Sequence, residues 1–268
     1  MPSAAWDRVV YDLAQGGPDP GTLTRLGRGE HAVVVVKNLL PAESFEINRK
    51  RLAGLFGYAS TATYVNGALT TIGPYLARCL DRPHEYFAAA AAARELLVGA
   101  GFDLDTQVRS ALAATLGLAS IEPAREPDGR RYADCVIRIH ADGVRNPLHN
   151  DNIMRDAAGT GLVLAGLDTQ LSCVVCLQEC DAGGELAIYG RSWQRTDEQF
   201  KVAGWLGYDE AVVAGAPVHM FKPQAGDVYL INPTYYHAIE QVSGSTRLTM
   251  GFFMGLRTDA PASAVVWG

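Results

Sequence analysis

The hydrophobic pattern changes character near the middle of the chain. In the front part, apolar residues recur at helical spacing. Phe45, Leu52, Leu55 and Phe56 form one such run, which predicts a helix continuing through Phe56 and stopped at Gly57. Residues 81–98 read as a second helix, with Asp81 as cap, Pro83 in the first turn and alanines of high propensity from Ala88 to Ala93. Residues 105–116 predict a third, with Val108, Leu112 and Leu116 on one face. Between these runs, HAVVVVKNLLP at residues 31–41 is a short apolar stretch ended by Pro41, the pattern of a buried strand. The polar, proline-bearing EPAREPDGRR at residues 122–131 predicts a hinge.

From residue 132 the segments shorten. YADCVIRIH, GLVLAGL, LSCVVCLQE, ELAIYG, HMFKP, GDVYLIN and RLTMGFFMGL are rich in Val, Ile, Leu, Phe and Tyr and are separated by turn formers. They predict strands of a barrel or sandwich, so the fold class is mainly β with supporting α-helices. Residues 192–207 are expected to interrupt the strands with a short helix, and the alanine-rich tail after Arg257 is expected to be loosely held, with Trp267 as the residue able to dock. The chain reads as one domain over residues 1–268, with a helical supporting part over about 1–125 and a β core over about 132–257.

Composition adds limits. The 268 residues are 48% hydrophobic and 19% charged, with a formal net charge of −6, which suits a folded chain and offers no footprint for a polyanion. No nucleic-acid partner is therefore expected. The five cysteines are odd in number, which argues against a disulfide framework and for a reducing, cytoplasmic location. Cys173 and Cys176 lie in a predicted strand and would point to opposite faces, as buried thiols do, so no redox or metal role is expected of them. The start, MPSAAWDRVVYDL, lacks the basic and apolar regions of a signal peptide, and no stretch suits a membrane span.

The candidate chemistry lies at two ends of the β region. In PLHND, His149 and Asp151 are separated by one residue, so on an extended strand both side chains share a face with Cα atoms ~6–7 Å apart. A third metal ligand must come from another strand, and His237 in YYHAIE, after GDVYLIN, is the best candidate. Two imidazoles and one carboxylate suit Fe(II) and leave about three open positions. Zn(II) accepts the same donors, so this set alone does not name the metal. Arg247 follows His237 by ten residues, and on the strand it opens it shares a face with Thr249 and Gly251. Arg247 can fork both oxygens of a carboxylate, Thr249 can add a hydroxyl, and Gly251 leaves room.

This pattern resembles the Fe(II)/2-oxoglutarate-dependent oxygenases: H-x-D, a distant H, then R about ten residues on, with S or T two residues beyond. The GGEL of residues 183–186 and the Pro223…Gly226–Asp227 turn are similar to features that many members carry. The resemblance covers residues 132–257 and implies a double-stranded β-helix (a jelly roll, cupin-like). It implies His149, Asp151 and His237 as catalytic metal ligands, 2-oxoglutarate held by Arg247 and Thr249, and dioxygen as the second cosubstrate. It further implies a small-molecule hydroxylase that releases succinate and carbon dioxide. A related branch halogenates carbon and replaces the carboxylate ligand with a small residue, which seats chloride. Asp151 is retained here, so hydroxylation is expected. Desaturation or ring closure on the same scaffold, and a cupin-like metalloenzyme without a keto acid, are the alternatives.

Arg138 and His140 share one face of CVIRIH. An arginine in so apolar a strand needs a partner, either an anionic group of substrate or cosubstrate or a core acid such as Glu185. Arg138, His140, Asn152 and Tyr235 are the expected substrate contacts, with Asn152 reaching the entrance only if the chain turns after Asp151. Asn150 is expected to face away from the ligands. Arg155, Asn232 and Tyr236 are further candidates for the entrance, and Trp193 and Tyr229 are read as core or rim. The compact size favours a small polar molecule, an amino acid or natural-product intermediate, as substrate.

Overall fold

The computed structural model describes residues 6–268. Residues 1–5, part of the segment expected to carry no signal peptide, lie outside the described residues. The larger sheet runs in the order β1 (Arg8–Asp12), β2 (Val33–Lys37), β12 (Val228–Ile231), β8 (Thr169–Gln178), β15 (Arg247–Leu256), β6 (Val136–His140), β4 (Gly67–Ile72) and β3 (Ser60–Tyr64). On one side β15 also pairs with β16 (Ser263–Trp267), which pairs with β5 (Ser120–Pro123). The smaller sheet runs β11 (Val218–Phe221), β10 (Leu186–Ser192), β13 (Tyr235–Ile239) and β7 (Asn146–His149). A two-stranded ribbon joins β9 (Ala182–Gly183) to β14 (Val242–Ser243). Helices α1 (Thr22–Gly27), α2 (Ala42–Ala53), α3 (Pro83–Gly99), α4 (Leu104–Leu116) and α5 (Ile153–Asp156) complete the regular structure.

Strand alternation sorts the side chains. On β2, Val34 and Val36 join the core under the helices, where Phe45, Leu52, Val108 and Leu112 meet them. Val33 and Val35 turn the other way, into the space between the sheets, beside Val174, Leu186, Ile188 and Ile231. β8 obeys the same rule: Cys173, Val175 and Leu177 face the helices, whereas Ser172 and Val174 line the interior. Cys173 and Cys176 therefore do point to opposite faces. Both are buried, and burial raises both thiol pKa values. The five cysteines are free. No helix among the described residues is long and apolar enough to cross a membrane.

Several local expectations are corrected. α2 ends at Ala53, so Leu55 and Phe56 lie beyond it, and Phe56 leads a separate 3₁₀ turn. The residue before α3 is Arg82, and no side chain caps it; Asp81 does not. Leu116 is only half-buried. GLVLAGL holds a 3₁₀ turn, Val163–Gly166, that buries Leu164; a short apolar run alone cannot distinguish strand from turn. The expected hinge at residues 122–131 is strand β5 and a closed turn bridged at Arg125 and Arg131. The interruption at residues 192–207 does hold a short helix, the 3₁₀ segment Arg195–Phe200, as expected. The tail is strand β16, with Trp267 fully buried against Phe253. The front part is not purely helical either, since β1 to β4 extend the larger sheet.

Candidate metal centre

The smaller sheet brings the two histidines together. His149 ends β7 and stands opposite His237 of β13 in the strand register. The chain leaves β7 at once, and the backbone N–H of Asp151 donates to the carbonyl of Pro233, in the turn leading to β13 (2.8 Å). That bond fixes the carboxylate between the rings. His149 Nε2 lies 3.8 Å from Asp151 Oδ2, and His237 Nε2 lies 3.7 Å from the same oxygen. One donor atom from each residue falls within 4.8 Å of the others, a spacing that could hold one metal ion.

Both rings are oriented from behind. His149 Nδ1 donates to the carbonyl of Pro147 (2.7 Å) and His237 Nδ1 to that of Tyr235 (2.9 Å). A carbonyl only accepts, so the proton sits on Nδ1 and the Nε2 lone pair points at the shared space. Burial, and next the neighbouring His149, hold the His237 pKa well below its ordinary value, which keeps the imidazole neutral as ligation requires. The donor set thus fits a divalent ion of intermediate hardness such as Fe(II).

A narrow inner cavity runs from these residues towards the larger sheet. β15 and β6 pair with Arg247 opposite His140 and Thr249 opposite Arg138, so all four side chains share one wall. Arg247 is 3% exposed, and its Nη2 donates to the hydroxyl of Tyr229 (3.2 Å). Among the described residues it has no ion-pair partner, a costly state for a buried cation. Thr249 Oγ1 and both ring nitrogens of His140 are buried without hydrogen-bond partners. A wall that carries a guanidinium without an ion-pair partner and an orphaned hydroxyl fits a carboxylate. Val174, Leu186, Ile231 and Ile239 give the cavity an apolar side, with Ser172 and Asn146 beside them.

Two glycines make this arrangement possible. A Cβ on Gly251 would come 3.1 Å from an Arg138 guanidinium nitrogen and 3.0 Å from the Cys173 carbonyl. Gly184 has φ +69°, and a Cβ there would lie 3.0 Å from Arg247 Cδ and 2.5 Å from Cys180 Sγ. The GGEL segment therefore clears the space in which Arg247 lies.

Other expected contacts fall differently. Arg138 lines the inner cavity and does not pair with Glu185; its Nε donates to the hydroxyl of Tyr75, and the guanidinium lies 5.2 Å from that ring's centroid. Asn152 caps α5, its side-chain oxygen accepting from the Arg155 N–H, and Tyr235 packs on Trp6; neither lines the cavity. Asn232 is a turn residue, bonded to Thr234 and to the Gly27 carbonyl. Tyr236 is buried and donates to Asp197. Tyr229 lies on the cavity wall, as does Tyr75, which sequence reading missed because it comes from a distant front segment with no motif around it.

Comparison with solved structures gives the same fold. An N-substituted L-amino acid dioxygenase from Burkholderia ambifaria superposes with a TM-score of 0.59 at 18% identity, covering 93% of this chain and 91% of that one. The fold is therefore the double-stranded β-helix of the 2-oxoglutarate oxygenases. Residues 9–268 match the family described as carrier-protein-independent halogenase WelO5, and the chain belongs to that family. It is a non-haem oxygenase dependent on Fe(II), 2-oxoglutarate and dioxygen. Among curated relatives, the leucinostatins biosynthesis cluster protein S of Purpureocillium lilacinum is 27% identical over 192 residues, 68% of this chain and 77% of that protein. The L-isoleucine 3(1)-dioxygenase of Pantoea ananatis is 27% identical over 147 residues, and the chain spans 48% of its length.

Proposed function

We propose that this protein hydroxylates an unactivated C–H of a small molecule, an amino acid or natural-product intermediate, rather than halogenating it. The observation that carries the reading is the carboxylate of Asp151, lying within 4 Å of both imidazole Nε2 atoms. It occupies the position that a chloride ligand would need. His149, Asp151 and His237 hold the iron. Arg247 receives the far carboxylate of 2-oxoglutarate and Thr249 donates to it, which gives the guanidinium an ion-pair partner and the hydroxyl an acceptor. Arg138 and His140 face the same cavity and serve the anionic cosubstrate, in preference to the substrate contact expected from sequence.

Bound iron together with 2-oxoglutarate and dioxygen would supply the oxidising power to replace C–H by C–OH, one atom of dioxygen going to the product and the other to succinate, with carbon dioxide released. The residues supply position and dryness. The carbonyls of Pro147 and Tyr235 hold the imidazole protons away from the metal side. The apolar wall keeps solvent from the reacting centre. Desaturation or cyclisation needs the same residues and differs in where the substrate lies. Free thiols support a reducing, cytoplasmic location, and the whole chain is read as one catalytic unit with a small-molecule partner, without nucleic acid or membrane.

The test is anaerobic addition of 2-oxoglutarate to iron-loaded protein, followed by turnover on a panel of amino acids and their derivatives. A metal-to-ligand charge-transfer band, then succinate release matched to a product with one added oxygen, is expected. Absence of the band overturns the reading, and so does chlorinated product in buffered chloride.

A further inference from the structure

His149 and Asp151 line two cavities. Besides the inner one, they line an outer recess of about 560 Å³, within the size range of small-molecule sites. Its apolar lining comes from Leu80 in the front part and from Val202, Trp205 and Leu206 in the segment 201–207. That segment lies between two 3₁₀ helices, Arg195–Phe200 and Glu210–Val213, and belongs to no strand or helix. Its place beside the metal ligands therefore depends on what ties it down.

One tie is to β7. The Tyr208 N–H donates to the Leu148 carbonyl (2.9 Å), and Gly207 just before it has φ +76°. A Cβ on Gly207 would overlap that carbonyl and come 3.1 Å from His149 Cβ, so glycine lets the backbone pass this close to the ligand strand. The other tie is to the turn between β3 and β4. Asn66 Nδ2 donates to the Leu206 carbonyl (3.0 Å), and Asn66 Oδ1 accepts from the Leu206 N–H (2.9 Å). The side-chain amide thus pairs with Leu206 as a neighbouring strand would, although 140 positions separate the two residues. The Val65 N–H adds a bond to the Gly204 carbonyl (3.0 Å).

Resting on the oxygenase reading above, we propose that the segment 201–207 is the wall against which the apolar body of the substrate packs, and that Asn66 is the positioning residue that holds this wall beside the metal ligands. Trp205 and Leu206 flank the peptide that Asn66 grips, so the grip places both side chains at once. The recess then ranks substrates by their apolar bulk.

The experiment uses protein loaded anaerobically with 2-oxoglutarate and Mn(II), a paramagnetic ion that accepts the same donors. The ion broadens the NMR lines of a small molecule that binds close to it. The probes are L-isoleucine and L-alanine, each in excess over protein. The isoleucine methyl signals are expected to broaden about tenfold more than the alanine methyl signal, since each added methylene in an apolar pocket is worth about that factor. Asn66→Ala should retain manganese and 2-oxoglutarate, as calorimetry reads, and bring the ratio of broadening towards one. Trp205→Ala should lower the ratio in the same way. A residue that only stabilises the fold would lower the denaturation midpoint and leave the ratio alone. Equal broadening of the two probes by the parent, broadening of neither, or a ratio unchanged in either variant overturns the proposal. If manganese and 2-oxoglutarate bind and the parent ratio is near one, this proposal fails alone; if they do not bind, the oxygenase reading fails first.

Discussion

His149 and His237 face each other across adjacent antiparallel strands, with ring centroids 4.2 Å apart and both Nε2 atoms turned towards Asp151. Neither ring can turn without breaking its Nδ1 bond to a backbone carbonyl. His237→Ala should therefore weaken iron binding by roughly 100-fold or more, because no nearby donor can replace it. Metal content after anaerobic loading and desalting measures this, and full retention of iron would refute the ligand assignment.

Arg247→Ala should leave iron content near that of the parent and raise the 2-oxoglutarate concentration needed for half-saturation by roughly 100-fold, the usual cost of truncating a buried charge partner. Arg247→Lys should recover only part of the loss, since an ammonium cannot fork two oxygens. Titration of the charge-transfer band gives both numbers.

Asp151→Gly should reduce hydroxylation by at least about 100-fold, as loss of a catalytic ligand does. In chloride buffer the parent should give product with added oxygen and no chlorine. Mass spectrometry of the product decides, and chlorination by the parent protein would contradict the role given to the carboxylate.

Stability should fall as the solution is acidified through the range where a free histidine titrates. Burial, then the charges of Arg247 and Arg138, push the His140 pKa down from 6.5 to about 3. Between those values the unfolded chain takes a proton that the folded chain refuses, so acid favours unfolding. The slope from this one group is about 1.4 kcal/mol per pH unit, and it vanishes above the unfolded pKa. Urea midpoints between pH 7 and 4 should show a shallower slope in His140→Asn than in the parent.

Trp267→Ala should cost about 3–5 kcal/mol, because the side chain is 1% exposed and seated on Phe253 in the core beneath α3. Denaturant unfolding tests it. A change below ~1 kcal/mol would mean that β16 is dispensable.

The metal donors and Arg247 were legible because their relations are local in sequence or carried by strand periodicity. His149 and Asp151 need only a one-residue gap, and Arg247 and Thr249 only a two-residue step. Asn150 illustrates the limit. Its side-chain oxygen accepts from Arg155 of α5, a one-turn helix that no spacing in the sequence announces. Tyr75 likewise reaches the cavity from the front part without any spacing to announce it. β16 was misread although Val265, Val266 and Trp267 favour a strand, because a run that short proves nothing until its pairing with β15 and β5 is known.

The candidate metal ligands and the wall proposed to bind a carboxylate belong to different sheets: His149 and His237 to the smaller, Arg247 and Thr249 to the larger. A molecule gripped at both ends is then a cross-brace between two halves of the sandwich. Such a brace holds the spacing on which its own binding depends, so its occupancy and the rigidity of the interior rise together. Supply of a central metabolite would in this way set how firmly the enzyme is closed, as well as how fast it turns over.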